Sequence, residues 1–230
     1  NAVTSWMGVG PNGKVGQNVL LVTFELDAIK TAMRCLGVVS KDIPLGSIVD
    51  NSNIVTERIE SLKRNYDGSI LINQLPPEQC SVDDIHSIID NLRKTKGWQP
   101  DVVILDYLDL MVSRSKKSND DSYTRLKSVS SEIRGLAIQE KVLVFTATQT
   151  NRDSRDQGEN VQLNLSRVSE SYGKTFSVDY VVGIAQSPAE RSMPIPQWQF
   201  QILKNRNGRR GDNITCEINY DTMLVKEINR

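Results

Sequence analysis

The chain has 230 residues and a mass of 25.8 kDa, with 38% hydrophobic and 24% charged residues. The length allows one α/β domain or two very small ones, and a chain of this size buries roughly 70–75% of its unfolded surface, so a sizeable core is expected. Lys plus Arg equals Asp plus Glu at 28 each. That balance excludes nucleic-acid binding through overall charge while leaving room for a local basic patch. No apolar run approaches the roughly 20 residues of a membrane span and no secretory signal is legible, so no membrane contact is expected. One histidine, His86, rules out His-rich metal sites. Cys35, Cys80 and Cys216 are odd in number, far apart and without a C-x-x-C pair. A disulfide framework and a zinc ribbon are therefore disfavoured, and a reduced, cytoplasmic setting is expected. Any catalysis must fall to carboxylates, Lys, Arg, Gln or a bound metal.

In chain order, Gln17 to Glu25 (QNVLLVTFE) reads as a buried strand by its apolar run. Asp27 opens an amphipathic helix to about Ser40, and Asn53 to Tyr66 forms a second. Ser69 to Asn73 is a short strand. Ser81 with Asp84 makes a capping-box start, and Ile85, Ile88, Ile89 and Leu92 follow with helical spacing to Lys96. His86 sits beside that apolar face and reads as a packing residue, as do the cysteines. Asp101 to Tyr107 is a second buried strand, and the polar stretch Ser113 to Asp121 an exposed loop. Ser122 to Glu140 is helical, with Leu126, Val129, Ile133, Leu136 and Ala137 on one face. Val142 to Gln149 is a third buried strand, followed by a polar loop over Asn151 to Asn164. Asp179 to Gln186, Trp198 to Lys204 and Ile214 to Tyr220 complete the strands, the last two as an antiparallel hairpin about a Gly/Arg turn. Alternating helices and apolar strands predict a single domain over residues 1–230, its mostly parallel sheet covered by helices on both faces.

Ligands of such sheets bind beyond the carboxyl ends of the strands, where Glu25, Asp106, Gln149 and Lys204 fall. Asp106 after Val-Val-Ile-Leu fits the Walker B pattern, in which a buried strand presents an acid to nucleotide-bound Mg²⁺. It is the one candidate metal ligand. Glu25 could polarise a water, and Gln149 could orient a water or a γ-phosphate. For each of these, taken singly, an ordinary strand-end polar residue is the competing reading. Lys204, Arg206, Arg209 and Arg210 crowd one turn without a counter-charge in sequence, which favours an anion over a solvated hairpin tip. Arg114, Lys116 and Lys117 form a second basic group that could touch a nucleic-acid backbone, blunted by Asp120 and Asp121. Gly8 to Val15 (GVGPNGKV) mimics the start of a P-loop. Val15 stands where Ser or Thr should hold Mg²⁺, and a strand rather than a helix follows, so it reads as a turn.

Taken in order, VLLVTFELD, VVILDYLDLM, VLVFTATQTNR, SESYG before VDYVVGI, and KNRNGRRGD resemble the ATPase domain of DnaB-type replicative helicases. The stretch NDDSYTRLKSVSSEIRGLAIQEKVLVFTATQ especially resembles the bacteriophage members. The resemblance runs from about Asn18 to Tyr220. It implies a RecA-like P-loop NTPase core that uses ATP and Mg²⁺, forms a homo-hexameric ring, moves on single-stranded DNA and meets a primase and a helicase loader. It also implies roles. Glu25 matches the water-activating glutamate, Asp106 the Walker B acid and Gln149 the γ-phosphate sensor. Lys204 and Arg206 match the K-x-R pair that reaches a neighbouring subunit's nucleotide. Arg167, Glu170, Ser171 and Gly173 fall in or beside the segment that approaches DNA, where Tyr172 extends the usual E-S-G. Asp109 replaces the family's Gln, and Thr148 its Ser. Asn1 to Met7 resembles the tail of the helix after the P-loop. The P-loop and its strand are thus expected to lie outside this chain, as in an excerpt of a longer protein. A RecA-like ATPase of recombination or regulatory type, and a non-catalytic scaffold, are the competing readings.

Overall fold

The computed structural model describes residues 16–115, 122–149 and 177–228. Four parallel strands form one sheet in the order β2-β1-β3-β4: β1 (Val19–Thr23), β2 (Ile70–Gln74), β3 (Val102–Asp106) and β4 (Leu143–Thr146). All five residues of β1 are buried, because it is flanked by strands and faced by side chains on both sides. Its register sets Val19 opposite both Ile70 and Val102, and Thr23 opposite both Gln74 and Asp106.

The helices are written locally in the sequence. Helix α1 (Ala28–Ser40) starts where the Asp27 carboxylate accepts from the Lys30 N–H. Helix α2 (Ser52–Asn65) follows a short turn. Helix α3 (Val82–Lys96) begins in a Ser81–Asp84 capping box and ends at Gly97, whose φ of 61° suits glycine. Helix α4 (Ser122–Glu140) leads into β4 after two residues. Strand alternation sends Leu20 and Val22 of β1 and Val103 and Leu105 of β3 into the main core. There they meet Ile85 and Ile89 of α3 and Val129, Ile133 and Leu136 of α4. Each such side chain contributes about 1.5–3 kcal/mol by leaving water. On the opposite face, Ile43, Ile48 and Val55 form a smaller cluster with Met33, Leu36 and Ile59 of α1 and α2. Between that layer and the sheet runs an apolar trough of about 850 Å³, lined by Val19, Leu21, Ile70, Ile72, Ile104 and Phe145 among others.

The expected C-terminal hairpin is part of something larger. Strands β5 (Tyr180–Ala185), β6 (Gln197–Asn205), β7 (Asn213–Asn219) and β8 (Leu224–Glu227) form a separate antiparallel sheet in that order. A one-turn helix, α5 (Pro188–Arg191), links β5 to β6 and has its own capping box, Ser187 with Glu190. Strand β8 is not legible in the sequence, because four residues are too few to show a period. Strand β4 is also less covered than its apolar run suggests. Among the described residues, β4 pairs only with β3 and β5 only with β6, so each has one free edge. Leu143 is 42% exposed, and Tyr180, Val182 and Ile184, which share one face of β5, are 50%, 43% and 55% exposed.

His86 does more than pack. Its Nδ1 lies 2.9 Å from Oε1 of Glu140, which also accepts from Arg93, so α3 and α4 are clasped where α4 turns toward β4. Burial pulls the Glu140 carboxyl upward, but the hydrogen bonds from His86 and Arg93 outweigh it and hold the group below its ordinary 4.5. A depressed carboxylate stabilises the fold above its unfolded pKa and loses that contribution as pH falls through the folded value. Glu140→Gln is therefore expected to cost about 1.5–3 kcal/mol at pH 7, the scale of charged hydrogen bonds. In thermal melts, its deficit against the unmodified chain should shrink as pH is lowered below 4.5.

Candidate active site

Three strand ends meet at the carboxyl edge of the parallel sheet, and polar cross-links hold them level. The Phe24 N–H donates to the Asp106 carbonyl at 3.1 Å, joining the end of β1 to the end of β3. Thr23, fully buried, turns the chain after β1: its Oγ1 donates to the Leu26 carbonyl at 3.0 Å and accepts from the Leu26 N–H at 3.2 Å. That turn leaves Glu25 exposed at the edge. Thr146 performs the matching task between β3 and β4. Its Oγ1 donates to the Leu105 carbonyl at 3.0 Å and accepts from the Leu108 N–H at 3.1 Å.

Asp106 is half-buried at the end of β3, and the peptide joining it to Tyr107 is cis. Gln149 Nε2 donates to the Tyr107 hydroxyl at 3.0 Å, which draws Gln149 to the Asp106 strand. Burial pushes the Tyr107 phenol above its ordinary 10.0, and the negative charges of Glu25, Asp109 and Asp106 push it further, against the Gln149 hydrogen bond. Gln149 thus reaches the phenol by a hydrogen bond, and Glu25 and Asp106 act on it by charge. Tyr107 lies within the VVILDYLDLM motif, but nothing local singles it out as a site residue, because its contact with Gln149 spans 42 residues.

Lys204 and Arg206 belong to another group. Lys204, on β6, is half-buried. Burial lowers its pKa, as do the charges of Arg206, Arg210 and Arg134, while Asp179 opposes them. Arg206 is not without a counter-charge, as its sequence neighbourhood suggests: Nη1 meets Asp179 Oδ1 at 2.6 Å. The partner comes from the start of β5, invisible in a local reading of the turn. Asp106 ends a strand of the parallel sheet, whereas Lys204 lies on β6 of the antiparallel sheet. Arg114 is ion-paired with Asp83 of α3 at 2.7 Å, and its backbone N–H donates to Glu132. Lys116, Lys117, Arg167, Glu170, Ser171 and Gly173 lie outside the described residues, as does the Gly8–Val15 stretch.

Among the described residues, no group of three or more His, Cys, Asp or Glu could hold a metal. Mg²⁺ in nucleotide sites is bound by one or two carboxylates together with phosphate oxygens and water. A single Asp106 suits that mode and no all-protein cage.

Residues 7–226 match the family described as the DnaB-like helicase C terminal domain. The chain belongs to that family. A DnaB-like replicative helicase of Enterobacteria phage T4 is 24% identical over 204 residues, covering 86% of this chain and 41% of that protein. The chain thus spans less than half the length of the curated relative it matches. In structure, a DnaB-like replicative helicase described with its interactions with primase superposes with a TM-score of 0.74 at 19% identity. The match covers 93% of this chain and 52% of that one. A second solved structure, described as an ATPase domain, also gives 0.74, at 18% identity, with 93% and 75% covered. The RadB recombinase gives 0.51 at 13% identity, with 93% and 80% covered. These likenesses carry the RecA-like fold. No helix among the described residues is long and apolar enough to cross a membrane.

The Tyr107 phenol reports on this DnaB-like edge without nucleotide. Glu25→Gln removes one of the charges that raise it, so its pKa should fall toward 10.0. Site-resolved tyrosine ¹³Cζ NMR through the alkaline range measures the shift; an unmoved phenol would separate Glu25 from this edge.

Proposed function

We propose that this chain is the motor portion of an ATP-driven, ring-forming replicative helicase that moves on single-stranded DNA and unwinds duplex. The observation that carries the reading is the gathering of Glu25, Asp106 and Gln149 at one sheet edge, with Lys204 and Arg206 in a separate basic group on another sheet. A site that completes itself within one subunit would bring its cations to its own acids. One that completes itself across a subunit boundary keeps them apart.

In this reading Asp106 helps hold Mg²⁺, which would neutralise phosphate charge when bound with ATP. Glu25, exposed beside it, accepts the proton of the attacking water. Gln149 senses the γ-phosphate through its amide and passes the state along the chain that follows β4. Lys204 and Arg206 reach the nucleotide of the next subunit, where an arginine supplied in trans is worth roughly 10³–10⁵ in rate. Single-stranded DNA is contacted by loop residues, with Arg114, Lys116, Lys117, Arg167, Glu170, Ser171 and Gly173 as candidates. Contact through loops suits a chain with zero net charge.

The unpaired edges of β4 and β5 among the described residues, and the apolar trough beneath the sheet, support a further part of the reading. The P-loop strand and its helix, supplied from outside residues 16–228, would join the two sheets and fill the trough. One structural relative is described with its interactions with primase, which makes a primase a candidate partner here. The T4 relative supports a phage or bacterial setting.

The decisive experiment is ATP hydrolysis by the full-length protein with and without single-stranded DNA. Strong stimulation by DNA is expected; hydrolysis indifferent to DNA would favour a RecA-like ATPase of recombination or regulatory type, and none would favour a scaffold. Glu25→Gln and Arg206→Ala should each lower kcat by about 10³ while ATP binding, read by a fluorescent analogue, stays close to that of the unmodified protein. Affinity that falls in step with the rate would count against Arg206 acting from a neighbour.

A further inference from the structure

Asp179 is absorbed by none of these roles, yet it holds the basic group from two sides. Its carbonyl oxygen accepts from the Arg206 backbone N–H at 3.0 Å, and its Oδ1 from Arg206 Nη1 at 2.6 Å. One residue thus fixes both the strand end that carries Arg206 and the guanidinium itself. From the other side, Arg134 of α4 donates through Nη1 to both carboxylate oxygens at 3.1 Å and to the Ser177 carbonyl at 2.8 Å. The bridge Arg134–Asp179–Arg206 therefore ties a helix of the parallel-sheet layer to the strand pair β5–β6 of the other sheet. Burial draws the Asp179 carboxyl upward, but hydrogen bonding and charge from Arg134, then from Arg206, overcome it and keep the group below 3.8. It is ionised throughout the physiological range.

One carboxylate here faces both Arg134 and Arg206, with Lys204 close enough to feel all three. A guanidinium offers five N–H donors in a rigid fork. The bond from Arg206 to Asp179 uses Nη1, so the fork can be held by the carboxylate and still present donors to an anion. We infer that Asp179, braced by Arg134, is the positioning residue that aims Arg206, and that it thereby refers the arginine given to a neighbour to helix α4, which leads into β4 and on to Gln149. This rests on the trans reading of Arg206 above and adds to it the group that sets its geometry. Asp179 and Arg206 are more than half exposed, at 58% and 52% of their side chains. Exposed pairs contribute little to stability, so Asp179 should matter to rate far more than to folding.

The test uses the full-length protein. Asp179→Asn keeps the shape and removes the charge. It is expected to lower the DNA-stimulated kcat about tenfold, with KM for ATP nearly unchanged and the melting temperature within about 2 °C of the unmodified protein. Asp179→Glu should recover part of the loss. In an Arg206→Ala background, Asp179→Asn should have no further effect, because its target is gone. Subunit mixing supplies the readout a merely structural role would not give. Asp179→Asn subunits, which keep their own acids, should regain activity when mixed with Glu25→Gln subunits, which keep their arginine, and should not when mixed with Arg206→Ala subunits. Unchanged kcat in Asp179→Asn, or a further fall in the double variant, overturns the inference. Failure of Glu25→Gln and Arg206→Ala subunits to complement one another is read on chains with Asp179 intact, and it overturns the trans reading itself.

Discussion

The pairing of β1 with β3 is the constraint from which the candidate site follows. Both strands are apolar, with one face packed in the main core, and their register is parallel and in step, so Thr23 and Asp106 end level. The side-chain period of a strand is two, and a slip of one residue would turn Leu20, Val22, Val103 and Leu105 out of the core. Packing against α3 and α4 thus protects the register, and the register places the acidic edge. Thr23 and Thr146 complete the arrangement. Each is a small hydroxyl that satisfies backbone groups where the ladders stop, so the chain can turn without leaving buried amides unpaired.

The charges of Glu25, Asp106 and Asp109 act on the Tyr107 phenol, while Asp179 binds Arg134 and Arg206. These two arginines share its one carboxylate.

The superpositions account for nearly all of this chain and for less of its relatives. The 0.74 match to the solved ATPase domain involves 93% of this chain but 75% of that one, while the RadB likeness is weaker at 0.51. Among the described residues, β4 and β5 each have one unpaired edge, and a trough lies under Val19, Leu21 and Phe145. An isolated sheet edge invites pairing because its backbone donors and acceptors face outward.

The amino-acid sequence by itself determined the local elements and the family. Apolar runs marked β1, β3 and the core face of α4; Asp27 and Ser81 marked helix starts; and five motifs in order carried the resemblance. Those features are local, decided by periodicity and capping within a few residues, and so they survive without knowledge of the rest of the chain. Tertiary structure decided what depends on distant partners. The C-terminal strands became a four-stranded sheet because β5 and β8 pair onto the two edges of the hairpin. His86 met Glu140 across 54 residues and Arg206 met Asp179 across 27. Tyr107 met Gln149 across 42 residues only when the ends of β3 and β4 were brought level. Long-range pairings of this kind have no local signature, since either partner alone is an ordinary surface residue, and only the packing of the two sheets and their helices makes them neighbours.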